Sequence, residues 1–557
     1  MENGLTSTSV TALVWLLIAI MVVAVASKYI RVPYTVALVV AGLFIAFTPI
    51  KLTIDVTPDV ILFIFLPALL FESAYNLHFA DVRDNLRPIT LLAVPGVILT
   101  ALFLAAAVHF AAGVGWETAL LFGAIMSATD PVSVLAVFRQ IGAPRRLSVI
   151  LEGESLFNDG TALVLFAIIL SGLVGGHGIE LGPGLVQFVV VVVGAVALGA
   201  ATGYVASFLL SRVNDYLIET AMTLVVAYGT YLLAVRVGVS GVIAVVVAAL
   251  VVGNYGRQAA MSPTTRLAVS STWEFFGFLA NSFIFVLIGL ELNSTKLLLF
   301  VGPTLLAIIA VLAVRAVVVA AASWLLRYIH RPIPMRWQAV LVWGGLRGSL
   351  ALAMALSLPV TLAGGEPFAE RDLLQVMTYG VILFSLLVQA LTMKPLLRRL
   401  GLVQSHERQE EYETISVRKG MVSAAIAEIE RMGRAGGLAK DDAEELRRAY
   451  EARLALLDQE LGALQLGDED LKREQLRAVR RRLLQIEKAV VGQRFVDGAI
   501  SEESMRRLQS ELDEELHNLD QAEEPDLESE APSPRTPAPE QDSQGAPGVA
   551  QAASDEL

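Results

Sequence analysis

The chain contains no cysteine. Disulfides, thiolate metal sites and cysteine nucleophiles are therefore excluded. Charge is also scarce: 17% of the 557 residues are Asp, Glu, Lys or Arg, against 55% hydrophobic. A soluble protein of this size has no need of so much apolar surface. The histidines lack metal-site spacing, and His109 reads as a packed residue on an apolar helix. A basic segment that would mark a secretory signal is missing at the start. The only early charge there is Glu2, and Lys28 and Arg31 follow the first apolar run. Short alternating segments of a membrane barrel are absent as well.

What fills the chain from about 9 to 400 is a series of apolar runs of bilayer-crossing length. They fall near 9–27, 32–49, 58–77, 88–112, 117–138, 148–174, 183–211, 215–235, 239–253, 267–291, 297–326, 336–361 and 372–397, thirteen in all. Alternate loops differ in charge. One set holds most of the Lys and Arg, and the other holds only Lys51, Arg236, Lys296 and Arg371. The positive-inside rule then places the N-terminus outside and the C-terminal tail in the cytoplasm. The expected fold is an all-α polytopic membrane protein of about thirteen transmembrane helices. Its domains are a membrane domain over 1–403, a helical cytoplasmic domain over 404–521 and a disordered acidic tail over 522–557. The net charge of −12 comes largely from that tail.

Polar groups inside the apolar runs carry the functional signal, because ionisable residues there are costly. The fifth run holds Ser127-Ala128-Thr129-Asp130-Pro131. Proline removes a helix hydrogen bond, and the residue before it is pushed out of the helical region. The helix should break at Thr129–Asp130, exposing carbonyls beside a carboxylate, a donor set suited to a hard cation. A simple proline kink with a solvated Asp130 is the alternative. The sixth run holds Gly153-Glu154-Ser155-Leu156-Phe157-Asn158-Asp159-Gly160. Glu154 and Asn158 share one helix face, as do Ser155 and Asp159. Ser155 and Asp159 offer oxygen ligands. Asn158 can brace backbone but cannot titrate, whereas Asp159 can hold a proton or a cation. The alternative is a polar loop between two shorter spans.

Arg315 lies deep in an apolar run and needs a partner, for which Glu154 is the candidate. Snorkelling to an interface is the alternative. Gly344, Gly345 and Gly348 surround Arg347 in the twelfth run and suggest a second unwound helix, unless they serve only for close packing. Arg347 would offset the carbonyl ends of the broken helices or pair with Asp130. Interrupted helices in both halves mark inverted-repeat transporters. Glu72 in the third run adds a carboxylate at the cavity or sits at a cytoplasmic span end; Glu274 and Glu291 read as interface positions.

Four segments together resemble the monovalent cation/proton antiporter family, in its NhaP and sodium/proton exchanger branch. They are Phe-Leu-Pro-Ala-Leu-Leu-Phe-Glu-Ser (65–73), Ser-Ala-Thr-Asp-Pro-Val-Ser-Val (127–134), Gly-Glu-Ser-Leu-Phe-Asn-Asp-Gly-Thr-Ala (153–162) and Gly-Gly-Leu-Arg-Gly-Ser-Leu-Ala-Leu-Ala (344–353). The resemblance covers about residues 10–400. It implies a homodimer in a cell (inner) membrane, each protomer having a core domain with two crossed, unwound helices and a dimer domain. It implies exchange of Na⁺ or Li⁺ for H⁺ by an elevator-like movement, for pH and sodium homeostasis. The ion site would use Asp159, Ser155, Asp130 and the Thr129 carbonyl, with Glu72 nearby. Asn158 would hold the crossing, and Glu154 would pair with Arg315. The Asn-Asp motif is similar to that of electroneutral members.

No cofactor is implied beyond the transported Na⁺, Li⁺ or K⁺ and H⁺, and no nucleic acid partner. The tail lacks a GxGxxG followed by a β pattern, so no nucleotide-binding domain is recognised there. Leu446, Tyr450, Leu454, Leu457 and Leu461 recur at helical spacing, as do Leu476, Val479, Leu483, Ile486 and Val490. Three or four short helices follow from this, with Ser501 as an N-cap. A K⁺/H⁺ antiporter is the nearest alternative function. A cation channel with a regulatory tail is weaker for want of a selectivity-filter signature. An intramembrane hydrolase using Asp130 and Asp159 lacks a defined water-activating pair.

Overall fold

The structure is a computed structural model of the chain. It describes residues 7–30, 33–46, 58–176, 181–213, 215–256, 261–290, 299–329, 332–362, 366–402, 406–434 and 440–465, with scattered residues between 480 and 515. The chain divides into two compact units, Met1–His406 and Glu407–Leu557.

Among its described residues the first unit is almost wholly helical, with a single isolated β-bridge between Thr361 and Pro367. Among the described residues nine helices are long and apolar enough to cross a membrane. Shorter apolar helices, Val14–Ser27, Tyr34–Ala46 and Gly241–Gly256, stand beside them. Thirteen crossings require that these three, and the interrupted pair Met335–Trp343 and Ser349–Leu356, also span. The elements that position the candidate site are α1 (Tyr34–Ala46), α2 (Pro58–Asn76), α3 (Trp116–Ser127), α4 (Val132–Ile141), α5 (Arg145–Gly175), α6 (Val301–Ile329), α7 (Met335–Trp343), α8 (Ser349–Leu356) and α9 (Arg371–Arg399).

Burial ranks these helices. In the stretch Trp116–Ile141, which contains α3 and α4, 72% of the most apolar window is buried, against 17% for Gly182–Leu210. The first therefore lies at the centre of the bundle and the second at its periphery. The core falls into two main clusters. One includes Leu121 and Phe122 of α3 with Leu350–Ala355 of α8. The other joins Val134 and Phe138 of α4, Ile150 of α5, Val319 of α6, Leu341 of α7 and Met393 of α9. Each broken helix thus sends one half into each cluster. The unwound segments, with their polar groups, sit where the two apolar clusters meet.

His109 is packed, as its place on an apolar helix suggests, and is half-buried. It sits at a helix end, where its Nδ1 lies 2.7 Å from the Val114 carbonyl and its ring stacks on Trp116 at 4.3 Å. Glu274 is exposed, and Glu291 lies outside the described residues.

The second unit contains two helices longer than expected, His406–Arg434 and Lys440–Gln465. They pack through Ile415, Val422, Leu457 and Leu461, with Ile426, Tyr450 and Leu454 alongside. Leu446, expected in the same stripe, is exposed. It lies in the first turns of its helix, away from those contacts. Leu483, Ile486 and Val490 are also exposed, and Leu476, Val479 and the acidic tail fall outside the described residues. Ser501 caps as expected: the Ser504 N–H donates to its Oγ at 3.2 Å.

Candidate functional site

Both interruptions have a sequence cause. α3 ends at Ser127, Ala128 is extended (φ −62°, ψ 137°), and α4 starts only after Pro131. Pro131 has no N–H to bond the Ser127 carbonyl four residues earlier, so α3 ends there and that carbonyl is taken from the side. Asn158 Nδ2 donates to the Ser127 carbonyl and to Thr129 Oγ1, both at 3.0 Å. Ser155 Oγ donates to the Thr129 carbonyl at 2.6 Å. Helix α5 thus carries the first break on two residues three apart, which project from one face. Asn158 Oδ1 is buried with no hydrogen-bond partner.

The second break runs from Gly344 to Gly348, between α7 and α8. The two breaks touch: the Asp130 N–H donates to the Leu346 carbonyl at 2.9 Å. Glycine is needed where they cross, since a Cβ on Gly348 would overlap the Asp130 carboxylate. A Cβ on Gly345 would lie 2.9 Å from Arg315 Nε.

The two aspartates differ in what holds them. Asp130 accepts from the Val132 N–H at 3.1 Å and from the Ser349 N–H. Its carboxylate therefore faces the N-terminal ends of both α4 and α8, where helix dipoles favour negative charge. Asp159 is partly exposed, sits four residues after Ser155 on the same helix face, and lies within electrostatic reach of Asp130. Among the described residues nothing donates a hydrogen bond to it. One acid is tied into the scaffold by backbone N–H groups, and the other is not.

Glu154 and Arg315 are buried, at 1% and 4% exposure. Arg315 Nη1 bonds Glu154 Oε1, and Nη2 bonds Oε2 at 2.9 Å, the bidentate geometry a guanidinium favours. The same guanidinium donates to the Leu341 carbonyl through Nε and Nη2, both at 3.2 Å. Arg315 thereby ties α6 to α5 and to the last turn of α7. Arg347, also buried, donates from Nη1 to the Gly345 carbonyl at 2.9 Å. It also senses Arg315 and Glu154, and it faces backbone rather than the Asp130 carboxylate. Of the two roles open to it from sequence, the contact matches compensation of carbonyls at the break.

Glu72 is not joined to the crossing by any contact among the described residues. It lies 3.4 Å from Ser73 Oγ and from Asn76 Nδ2, and it shares an electrostatic neighbourhood with Arg139, Glu152 and Glu274. Tyr34 of α1 lies within electrostatic reach of Asp130 as well as of Glu72 and Arg139. Thr35 of α1 and Ser133 of α4 share a buried hydrogen bond of 2.8 Å. Sequence reasoning passed over Glu152, Thr35, Ser133 and two residues of α9, Ser385 and Gln389. The last two are polar, four apart and inside an apolar run, so the rule that singled out Ser155 and Asp159 also points to them. Among the described residues no group of three or more His, Asp or Glu is arranged to hold a metal ion. The oxygens at the crossing suit a weakly held monovalent cation or a proton.

Comparison with known proteins bears on this arrangement. The model of the family described as sodium/hydrogen exchanger, transmembrane, matches residues 15–399. The chain is 40% identical over 407 residues to the Na⁺/H⁺ antiporter ApNhaP of Aphanothece halophytica, covering 73% of this chain and 77% of that protein. It is 37% identical over 515 residues to the Na⁺/H⁺ antiporter NhaG of Bacillus atrophaeus, covering 90% and 96%. Among solved structures, the sodium proton antiporter MjNhaP1 of Methanocaldococcus jannaschii at pH 8 matches with a TM-score of 0.59 and 21% identity. That match covers 71% of this chain and all of the other. At that identity the structural match speaks for the fold.

Proposed function

The chain belongs to the sodium/hydrogen exchanger family, and we propose that it exchanges one Na⁺ or Li⁺ for one H⁺ across a cell membrane, with Asp159 as the group that holds either one. The observation that carries this is the contrast between the two aspartates. Asp130 is fixed by two helix N-termini, while Asp159 is partly exposed and, among the described residues, receives no hydrogen bond. A cation arriving beside Ser155 Oγ, the Thr129 carbonyl and both aspartates displaces the proton from Asp159, and a returning proton displaces the cation.

Charge at the crossing supports one-for-one exchange. Three carboxylates (Asp130, Glu154 and Asp159) stand against two guanidinium groups (Arg315 and Arg347), leaving one negative charge when all are ionised. One proton or one Na⁺ brings the group to neutrality. A net charge is costly to carry through low dielectric, so the loaded core crosses and the empty one does not. That rule yields exchange rather than leak. Glu72, Glu152 and Arg139 would line the approach rather than ligate the ion. In this reading the loaded core moves elevator-fashion against a dimer domain. The N-terminus of each protomer of the homodimer lies outside, and the tail lies in the cytoplasm.

Asp159→Asn tests the assignment. In proteoliposomes the variant should fold and dimerise yet exchange nothing when a pH gradient and Na⁺ are supplied. Retained Na⁺-dependent proton flux in that variant refutes it.

A further inference from the structure

At Ser385–Gln389 helix α9 widens into a π-helical turn, and the Ala390 N–H bonds back to the Ser385 carbonyl. Such turns are rare and recur at functional places. This one faces the second break. Ser385 Oγ accepts from the Arg347 N–H at 3.2 Å, and its own proton is shared between the Arg347 carbonyl at 3.2 Å and the Ile382 carbonyl at 2.8 Å. Gln389 Nε2 donates to the Trp343 carbonyl, the last of α7, at 3.0 Å. One turn further, Thr392 Oγ1 accepts from Trp343 Nε1 at 2.9 Å. Ser385 and Gln389 are 1% and 3% exposed, so neither bond has water to replace it.

These contacts repeat those at the first break. There a hydroxyl (Ser155) holds a carbonyl within the unwound segment, and an amide (Asn158) holds the last carbonyl of the preceding half-helix. Here the hydroxyl is Ser385, the amide is Gln389, and the half-helix is α7. One difference decides the role. Four residues after Ser155 stands an acid, Asp159, whereas four residues after Ser385 stands the amide itself. The second pair cannot titrate.

We propose that Ser385 and Gln389 are positioning residues: a neutral clamp that holds the 343–347 segment in one geometry whether a proton or a cation occupies the site. The clamp reaches the ion site through Leu346, which lies between its two anchor points and accepts the Asp130 N–H. Freed of the clamp, the Leu346 carbonyl and the Gly348 backbone no longer hold Asp130 in place beside Asp159. Cation binding is therefore what suffers first. This inference rests on the ion-site reading above.

The test is Na⁺ and Li⁺ exchange by Ser385→Ala and Gln389→Met in proteoliposomes, with the melting temperature followed in parallel. Gln389→Met removes the one bond to the Trp343 carbonyl, and Ser385→Ala removes the bonds to the Arg347 N–H and to the Arg347 and Ile382 carbonyls. Each leaves a buried backbone group without its side-chain partner, so apparent KM for both cations should rise about tenfold. Vmax per folded protein should stay within about twofold of the parent. Ser385→Thr keeps the hydroxyl and should restore KM. Val388→Ala, on the same turn but 39% exposed, should leave it unchanged. Wild-type KM in both clamp variants overturns the proposal. So does a fall in melting temperature and Vmax with KM unmoved, since that is what a purely structural role gives. If Gln389→Met does not accumulate, the Ser385→Ala and Ser385→Thr pair decides alone. Asp159→Asn run alongside separates the two claims. Exchange surviving in it defeats the ion-site reading, whereas an inert Asp159→Asn beside unchanged clamp variants defeats only the clamp.

Discussion

Removing the Arg315 guanidinium should damage the protein's stability far more than its choice of ion. Arg315→Ala leaves Glu154, 1% exposed, as an uncompensated charge, and it strips the Leu341 carbonyl of both its donors. Breaking a buried ion pair from one side costs about 3–5 kcal/mol. At about 2 °C per kcal/mol, the figure for a larger domain, the melting temperature should fall by roughly 6–10 °C. The partner variant identifies the cause. Glu154→Gln combined with Arg315→Met removes both charges, so it should recover more than half of that loss, since replacing a buried pair with neutral groups is often close to neutral. The assay is thermal unfolding of detergent-solubilised protein, followed by intrinsic tryptophan fluorescence, with Na⁺ exchange measured on whatever folds. An Arg315→Ala protein that melts with the parent refutes the structural role. A double variant as unstable as the single one shows that the charge left on Glu154 was not the cause.

Two other outcomes follow from the crossing. Gly348→Ala sets a Cβ against the Asp130 carboxylate, and overpacking of this kind costs about 1–3 kcal/mol; exchange should drop at least about tenfold as Asp130 is displaced, and an active Gly348→Ala would remove the crossing from the account. Competition at one carboxylate also fixes a sign with pH. Apparent Na⁺ affinity should strengthen as pH rises, by at most about tenfold per pH unit while a proton still occupies Asp159, and then level off. An affinity that weakens with rising pH would point to a different proton carrier.

Much of the site was legible because charge in an apolar run has few explanations. Asp130 before Pro131 announced a break, and Arg315 announced a buried acid. Helical spacing put Ser155 and Asp159 on one face. What spacing cannot give is which helix stands opposite. Nothing in the sequence says that Arg347 faces the Gly345 carbonyl, or that Thr35 meets Ser133 from ninety-eight positions away. Glu72 reads as a ligand from its motif, yet its neighbours are Arg139, Glu152 and Glu274. Ser385 and Gln389 carried the same signal as the sixth run but lacked a charge to draw notice. In the tail, the stripe through Tyr450, Leu454, Leu457 and Leu461 packs as its spacing requires. Leu446 belongs to the same stripe and stays exposed, because the packed surface of a helical pair ends before the helix does.

Electroneutral exchange requires that the loaded core carry no net charge in either direction. Its most direct test is Na⁺-driven proton flux in proteoliposomes under a fixed pH gradient, with the membrane potential clamped at zero and then set at −100 mV. A single net charge moving across that potential is worth about 2.3 kcal/mol, enough to change a rate roughly 50-fold. Electroneutral exchange gives the same flux at both potentials; a flux that follows the potential refutes it.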